Sequence, residues 1–400
     1  MLIYIGVNIY AQGDETLDLR EKLFQIEDNT ASLGENISDY IFNHPELGDA
    51  EFESSKYLVE VLREQGFEVE YPYMGLATAF RAEYGDAEGP KVCFMAEYDA
   101  LLGYGENHDE MAHACGHNWI AASSVMAAVA LKGVKEHFKG KIVVIGTPAE
   151  ENFGRKVDMA AAGVFDEFDA CFEMHLDTHN CIDTKALAMT DFVFEFDGKA
   201  AHAAGHPADG INALDGCNLT IAGINALRQH LEPDVRIHYV YMDGGKSPNV
   251  VPEHASLAVY VRAGQKDYLE EVIEKVLNCG RGAELMTGAK FSYTRAQNTF
   301  YDIKHDKQLD ELMESHLRDL GITEFLAGDI YHSGSTDVGN VTYHCPVCYV
   351  HLGLGAVTSA GCHEEAILPH VNSAESNRLL HIAAKAMAAT ALDVISKGGK

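Results

Sequence analysis

Apolar residues recur every three to four positions along residues 15–43, the spacing of an amphipathic helix. A second such stretch, 54–65, runs into Gly66, which can close a helix in a left-handed turn. Between them His44-Pro45-Glu46-Leu47-Gly48 breaks the chain. The pattern then changes to short β-branched and aromatic runs at 67–70, 77–84 and 91–95, which predict strands. Residues 119–131 are Ala-rich, apolar and too long for a strand, so they predict a buried helix. Runs at 142–146 and 170–174 have the unbroken hydrophobicity of buried parallel strands. A strand at 346–352, a Gly-containing loop and a helix at 373–396 close the chain. Strands alternating with helices predict an open α/β sheet.

Between residues 190 and 297 the rhythm differs. Residues 192–196 alternate, 210–230 are helical, 236–242 and 256–262 are strand-like, 267–279 are helical and 290–295 are strand-like. That order, β-α-β-β-α-β, is the order of a ferredoxin-like unit. The α/β pattern resumes with a helix at 309–320, so the unit reads as an insertion. The expected division is a catalytic domain at 1–189 and 304–400, with an inserted domain at 190–303. A chain of 400 residues exceeds what one hydrophobic core usually supports.

Composition narrows the partners. Thirty basic residues against 61 acidic ones give a formal charge of −31, a field that repels phosphate backbones and anionic lipids. Neither nucleic acid nor a membrane is an expected partner. Residues 1–12 are apolar but short and lack a basic lead, so no signal peptide is expected. Nine cysteines spread over the chain do not form a disulfide framework, and reduced thiols in a cytoplasmic protein are the expectation.

Chemistry gathers at the predicted strand ends. Glu97 and Asp99 follow one strand, Glu150 and Glu151 a second, His175 a third, and His363 lies in the loop after the last. Cys115 and His117 lead into the Ala-rich helix. In open α/β sheets sites form beyond the carboxyl ends of the strands, so separate segments deliver metal-ligand types to one edge. Taken singly, each has a plain structural alternative: a turn, a solvated strand end, a core histidine or an exposed loop histidine. Thiolate and imidazole together suit zinc-like ions. Adjacent carboxylates allow one to hold metal while its neighbour moves a water proton.

These segments, His113-Ala114-Cys115-Gly116-His117-Asn118, Thr147-Pro148-Ala149-Glu150-Glu151, His175 and His363, resemble those of the co-catalytic metallopeptidase and amidohydrolase family. That family includes carboxypeptidase G, the aminoacylases and plant hydrolases of indole-acetyl amino acids. The resemblance extends over nearly the whole chain. It is closest to the branch with p-aminobenzoyl-glutamate hydrolase and β-alanyl-lysine-type dipeptidases, through Asn118 and Gly334-Ser335-Thr336-Asp337-Val338-Gly339. It implies a zinc-exopeptidase-like α/β domain with an inserted ferredoxin-like lid and dimerisation domain, and hydrolysis of an amide bond in an N-acyl amino acid or dipeptide-like substrate.

The resemblance further implies that Cys115, His117, Glu151, His175 and His363 hold two divalent ions, zinc first, with manganese, nickel and cobalt as alternatives. Glu150 is then the general base. The wider family's His-x-Asp motif reads Glu97-Tyr98-Asp99 here; the histidine of that motif is absent, and the resemblance sets Asp99 behind the ligands. Gly198-Lys199-Ala200-Ala201-His202-Ala203 resembles a lid motif whose histidine reaches the partner subunit's site, so a homodimer through the lid is implied. Asn249 and Arg262 match positions that grip a substrate carboxylate. His206, His332 and His370 lie near these motifs without an assigned role. Cys345-Pro346-Val347-Cys348 has redox-motif spacing, but as a lone pair entering a buried strand it reads as core. Two rivals remain open: a cysteine hydrolase using Cys115 with His117, and a metal-dependent binding protein without turnover.

Overall fold

The computed structural model describes residues 9–328 and 334–397; His332 lies outside them. The chain divides into two compact units, one of Met1–Thr184, Lys304–His332 and Val341–Lys400, the other of Lys185–Ile303 with Ser333–Asn340.

In the first unit, strands β1 (Glu68–Glu70), β2 (Phe80–Gly85), β3 (Lys91–Ala96), β6 (Lys141–Gly146), β7 (Ala170–Asp177) and β12 (Val347–Gly353) form one sheet in the order β1-β2-β6-β3-β7-β12. The strands from β6 to β12 are parallel, and β2 and β1 run antiparallel at one edge. A hairpin of β4 (Leu101–Tyr104) and β5 (Glu110–Ala112) follows β3. Helices α1 (Ile9–Asn43), α2 (Phe52–Glu64), α3 (His117–Lys132), α4 (Arg155–Ala161), α7 (Lys307–Asp319) and α10 (Ala374–Lys397) complete the unit. Helix α3 is buried along nearly its whole length, as its unbroken apolar sequence demands. It packs on β3, β7 and β6 beneath α1 and α10. The segment Ala374–Ser396 is long and apolar enough to cross a membrane, yet 78% of its most apolar window is buried inside the protein. It serves as a core helix.

The second unit has β8 (Ala188–Asp197), α5 (Ala213–Leu227), β9 (Arg236–Asp243), β10 (His254–Ala263), α6 (Lys266–Thr287) and β11 (Lys290–Thr294). Its antiparallel sheet has the order β11-β8-β10-β9, the arrangement of a ferredoxin-like fold. Alternation in β8 buries Phe192, Phe194 and Phe196 in a separate core with Leu257, Val259 and Val261 of β10. Helix α6 runs eight residues beyond the predicted stop at Cys279. Gly280 breaks the propensity but not the helix, because a Cβ there would lie 2.4 Å from the Phe291 ring. The true stop is Gly288, left-handed at φ +75° and bonded through its amide to Glu284. Short helices α8 (Val338–Val341) and α9 (Leu368–Val371) lie in connecting segments.

Candidate metal centre

Parallel strands place their carboxyl ends together, and four ligand-bearing segments leave from that edge. Ala96 of β3 is paired with Gly146 of β6, so Glu97-Tyr98-Asp99 and the loop to Glu150-Glu151 depart side by side. Strand β7 reaches Asp177, three residues past its predicted end, because β12 stays paired with it through His175–His351 to Asp177–Gly353. His175 is therefore a strand residue with a fixed ring rather than part of a loop.

Cys115 and His117 are not two positions of an extended strand. Gly116 between them takes φ +81° and caps α3, whose first residue is His117. That conformation favours glycine. His363, also left-handed at φ +71°, is tied in by its own amide to Ala114 O (2.9 Å) and by the Tyr104 hydroxyl donating to its carbonyl (3.1 Å). The β4–β5 hairpin, which carries Tyr104, is not apparent in the sequence pattern.

Ligand-type atoms of Cys115, His117 and His175 lie within 4.8 Å of one another, as do those of Cys115, Glu151 and His363, and those of His117, Glu150 and Glu151. The Cys115 Sγ to His175 Nε2 distance is 3.4 Å, and Glu151 Oε1 lies 3.2 Å from His363 Nε2. Six of the eight residues expected at the sheet edge thus come together in these groups.

The residues behind them orient the ligands. Asp99 accepts from His117 Nδ1 at 2.7 Å and from the Glu151 amide at 2.9 Å. His175 Nδ1 donates to Leu176 O at 2.7 Å, leaving Nε2 toward Cys115. Asn118, one residue into α3, faces away and donates to Ser38 Oγ at 2.8 Å. The His113 ring is buried, and burial drives its pKa down to about 3.

Nothing in the sequence marks Glu51, which is one of several acids in Asp49-Ala50-Glu51-Phe52-Glu53. It is fully buried and accepts from the Ala149 amide (2.8 Å) and the Thr78 hydroxyl (2.9 Å). Burial and the nearby Asp99 push its pKa up to about 8. Ala149 is a non-glycine residue at φ +62°, immediately before Glu150. Such a conformation persists only where its surroundings hold it, and Glu51 together with the Gly154 amide on Ala149 O holds it here.

The donor set fits a metal. His117 Nε2 and Glu151 Oε1 are buried without an aligned hydrogen-bond partner, a costly state that a bound cation relieves. Burial opposes protonation of His117, yet Asp99, Glu97 and Glu151 outweigh it and push its pKa well up. The pocket is thus electrostatically arranged for positive charge at that ring. His175 is held neutral, its pKa lowered to about 4 by burial and by His351. The Cys115 thiol is pushed well up by its Cys362 neighbour, burial and Glu151. An activated cysteine nucleophile has the opposite shift.

In the second unit, the loops carrying His202 and Asn249 lie against each other. Ala203 N donates to Asn249 O at 3.0 Å, and Val251 N to Ala201 O at 3.0 Å. The His202 Nδ1 accepts from the Gly205 (3.1 Å) and Ala204 (3.3 Å) amides, which puts the ring proton on Nε2. Arg262 sits eight residues further along β10 from His254, roughly 26 Å of extended strand. Its Nε is buried without a partner, and burial lowers its pKa.

The sequence model of peptidase family M20/M25/M40 matches residues 93–392. The chain is 36% identical to the Xaa-Arg dipeptidase of Mus musculus over 339 residues, covering 82% of this chain and 76% of that protein. It is 34% identical to one of the p-aminobenzoyl-glutamate hydrolase subunits of Escherichia coli, covering 63% of this chain and 55% of that one. Among solved structures, an aminobenzoyl-glutamate utilization protein from Klebsiella pneumoniae superposes with a TM-score of 0.71 at 20% identity, covering 93% of this chain and 98% of that chain. A dinuclear metal-binding M20 peptidase from Bacillus subtilis superposes with a TM-score of 0.65 at 22% identity, covering 89% and 98%.

Proposed function

Because the chain belongs to peptidase family M20/M25/M40 and is a metal-dependent amide hydrolase, we propose that it cleaves small N-acyl amino acids or dipeptides bearing a carboxylate next to the scissile bond. Its metal centre is formed by Cys115, His117, Glu151, His175 and His363. The observation that carries this reading is the convergence of these five side chains, with His117 Nε2 and Glu151 Oε1 buried and lacking an aligned partner. A thiolate with three imidazoles favours zinc over manganese, nickel or cobalt.

When bound, two divalent ions supply Lewis acidity that makes water a nucleophile at neutral pH and polarises the amide carbonyl. Glu150 accepts the proton of the attacking water and returns it to the leaving amine. Asp99 fixes His117 and the Glu151 backbone during the cycle. His202, with its proton on Nε2, donates to the developing oxyanion.

Arg262 and Asn249 bind the substrate carboxylate and flank. In a single copy Arg262 is too far along β10 from the His202 and Asn249 loops for all three to grip one small substrate. Contribution of His202 together with Asn249 by a second subunit removes that conflict and supports a homodimer. Strand β9 supports the same reading: it is an edge strand on which Val240 is 59% and Met242 64% exposed. All nine cysteines are free thiols, which supports a reducing, cytoplasmic setting.

The test is metal analysis of the purified protein with a panel of N-acyl amino acids, p-aminobenzoyl-glutamate and dipeptides. Glu150→Ala should lose turnover by at least about 100-fold, the scale of a lost general base, while keeping its metal content. Substantial activity in that variant would sink the assignment. Turnover that survives metal removal and falls only on thiol alkylation would favour the cysteine rival.

A further inference from the structure

Lys156 is completely buried, on the first turn of α4 just past the Glu150-Glu151 loop. A buried ammonium is retained only where carboxylates hold it, and two do. Its Nζ is hydrogen-bonded to Glu97 and lies 3.8 Å from Glu173, both themselves buried. Glu97 follows β3, Lys156 follows the β6 loop, and Glu173 lies on β7 two residues before His175. One ammonium therefore ties together three of the segments that deliver the ligands.

Glu97 uses one oxygen, Oε1, for Lys156. The other, Oε2, lies 3.4 Å from His117 Nε2. That nitrogen has no aligned hydrogen-bond partner, so the two atoms are close without being bonded to each other. For ligands about 2.0–2.2 Å from an ion in tetrahedral geometry, neighbouring ligand atoms stand roughly 3.3–3.6 Å apart. The Glu97–His117 approach has the spacing of two ligands on one ion. Glu97 also offers an oxygen within 4.8 Å of one from Glu150, so it borders both the imidazole and the proposed base.

We propose that Glu97 is a further carboxylate contact for the ion held on His117, and that Lys156 is the positioning residue that fixes Glu97 in place. The inference rests on the metal-centre reading above. It assigns Glu97 a role that the ligand set of Cys115, His117, Glu151, His175 and His363 leaves out, and it explains why a lysine is buried behind that set.

Titration of the metal-free protein with Zn²⁺ by calorimetry, and with Co²⁺ by visible absorption, tests both parts. Glu97→Gln keeps the side-chain shape and an acceptor for Lys156. It should weaken one of the two ions about 10- to 100-fold and alter the Co²⁺ spectrum. Lys156→Met should weaken the same ion but add no further loss in the Glu97→Gln background, the mark of residues acting as a unit. If Lys156→Met does not fold, Lys156→Arg, whose guanidinium cannot place its charge at the same point, supplies the comparison.

Wild-type affinity for both ions and an unchanged spectrum in Glu97→Gln would overturn the Glu97 contact. Undiminished metal affinity in folded Lys156 variants, with only lowered stability, would overturn the positioning role. A wild-type protein that binds fewer than two ions would overturn the metal-centre reading itself, a result distinct from either.

Discussion

Asp99 holds His117 through one carboxylate oxygen at 2.7 Å, and its second oxygen accepts from the backbone amide of Glu151 at 2.9 Å. One buried side chain thus sets the ring plane of one proposed ligand and the chain position of another. Removal of either half of this contact moves both.

Asp99→Asn keeps the volume but can no longer accept at both oxygens and lacks the negative charge. Metal affinity is expected to fall about 10- to 100-fold, the usual effect of losing such a supporting contact. Competition with a chromogenic chelator measures this, and wild-type affinity would remove Asp99 from the arrangement.

Glu51 should act on Glu150 through the turn at Ala149. With Glu51→Ala the left-handed backbone loses its holder, a conformation costing on the order of 1–3 kcal/mol. The expected result is a lower kcat with metal stoichiometry intact. Ala149→Gly in the same background should recover part of the loss, since glycine needs no holder at that φ.

His202 should contribute to kcat rather than KM. His202→Ala is expected to slow turnover about 100- to 1,000-fold, the effect of removing one oxyanion donor. Mixed dimers made from His202→Ala and Glu150→Ala chains should regain activity, because one of the two sites then receives a complete set. No recovery on mixing would show that each copy uses its own His202.

Stability should depend on pH through His381 and Glu27, which join α10 to α1 at 2.7 Å. The Glu27 hydrogen bond raises the His381 pKa in the folded protein. Folding therefore favours the protonated ring, and that contribution is complete below the ordinary histidine value of about 6.5. It is lost as pH rises from there through the elevated folded value. Denaturant titrations across this window should find a slope that His381→Gln flattens.

The grouping of the candidate ligands is legible because parallel strands send their carboxyl ends to one edge, so strand ends in sequence become neighbours in space. The inserted unit is legible because β8 sets Phe192, Phe194 and Phe196 at every second position, all three buried. Lys156 is not, since a lysine beside Arg155 in a polar stretch has the local pattern of a solvated helix start. Its burial depends on Glu97 and Glu173, 59 and 17 residues away along the chain. Cys345 pairs with Cys348 by spacing, but its sulfur lies 3.3 Å from that of Cys171 on β7. The core reading of Cys345 and Cys348 agrees with their burial, but the neighbours of Lys156 and Cys345 are not legible for one reason: local spacing does not encode which distant strand lies alongside.

His363 differs from the other proposed ligands in standing half in solvent, its side chain 54% exposed on a left-handed backbone. Cys115, His117, Glu151 and His175 are the less exposed members of the proposed centre, and His363 is the one that faces solvent. Of the five, it is the side chain that an ion or substrate arriving from solvent would meet first.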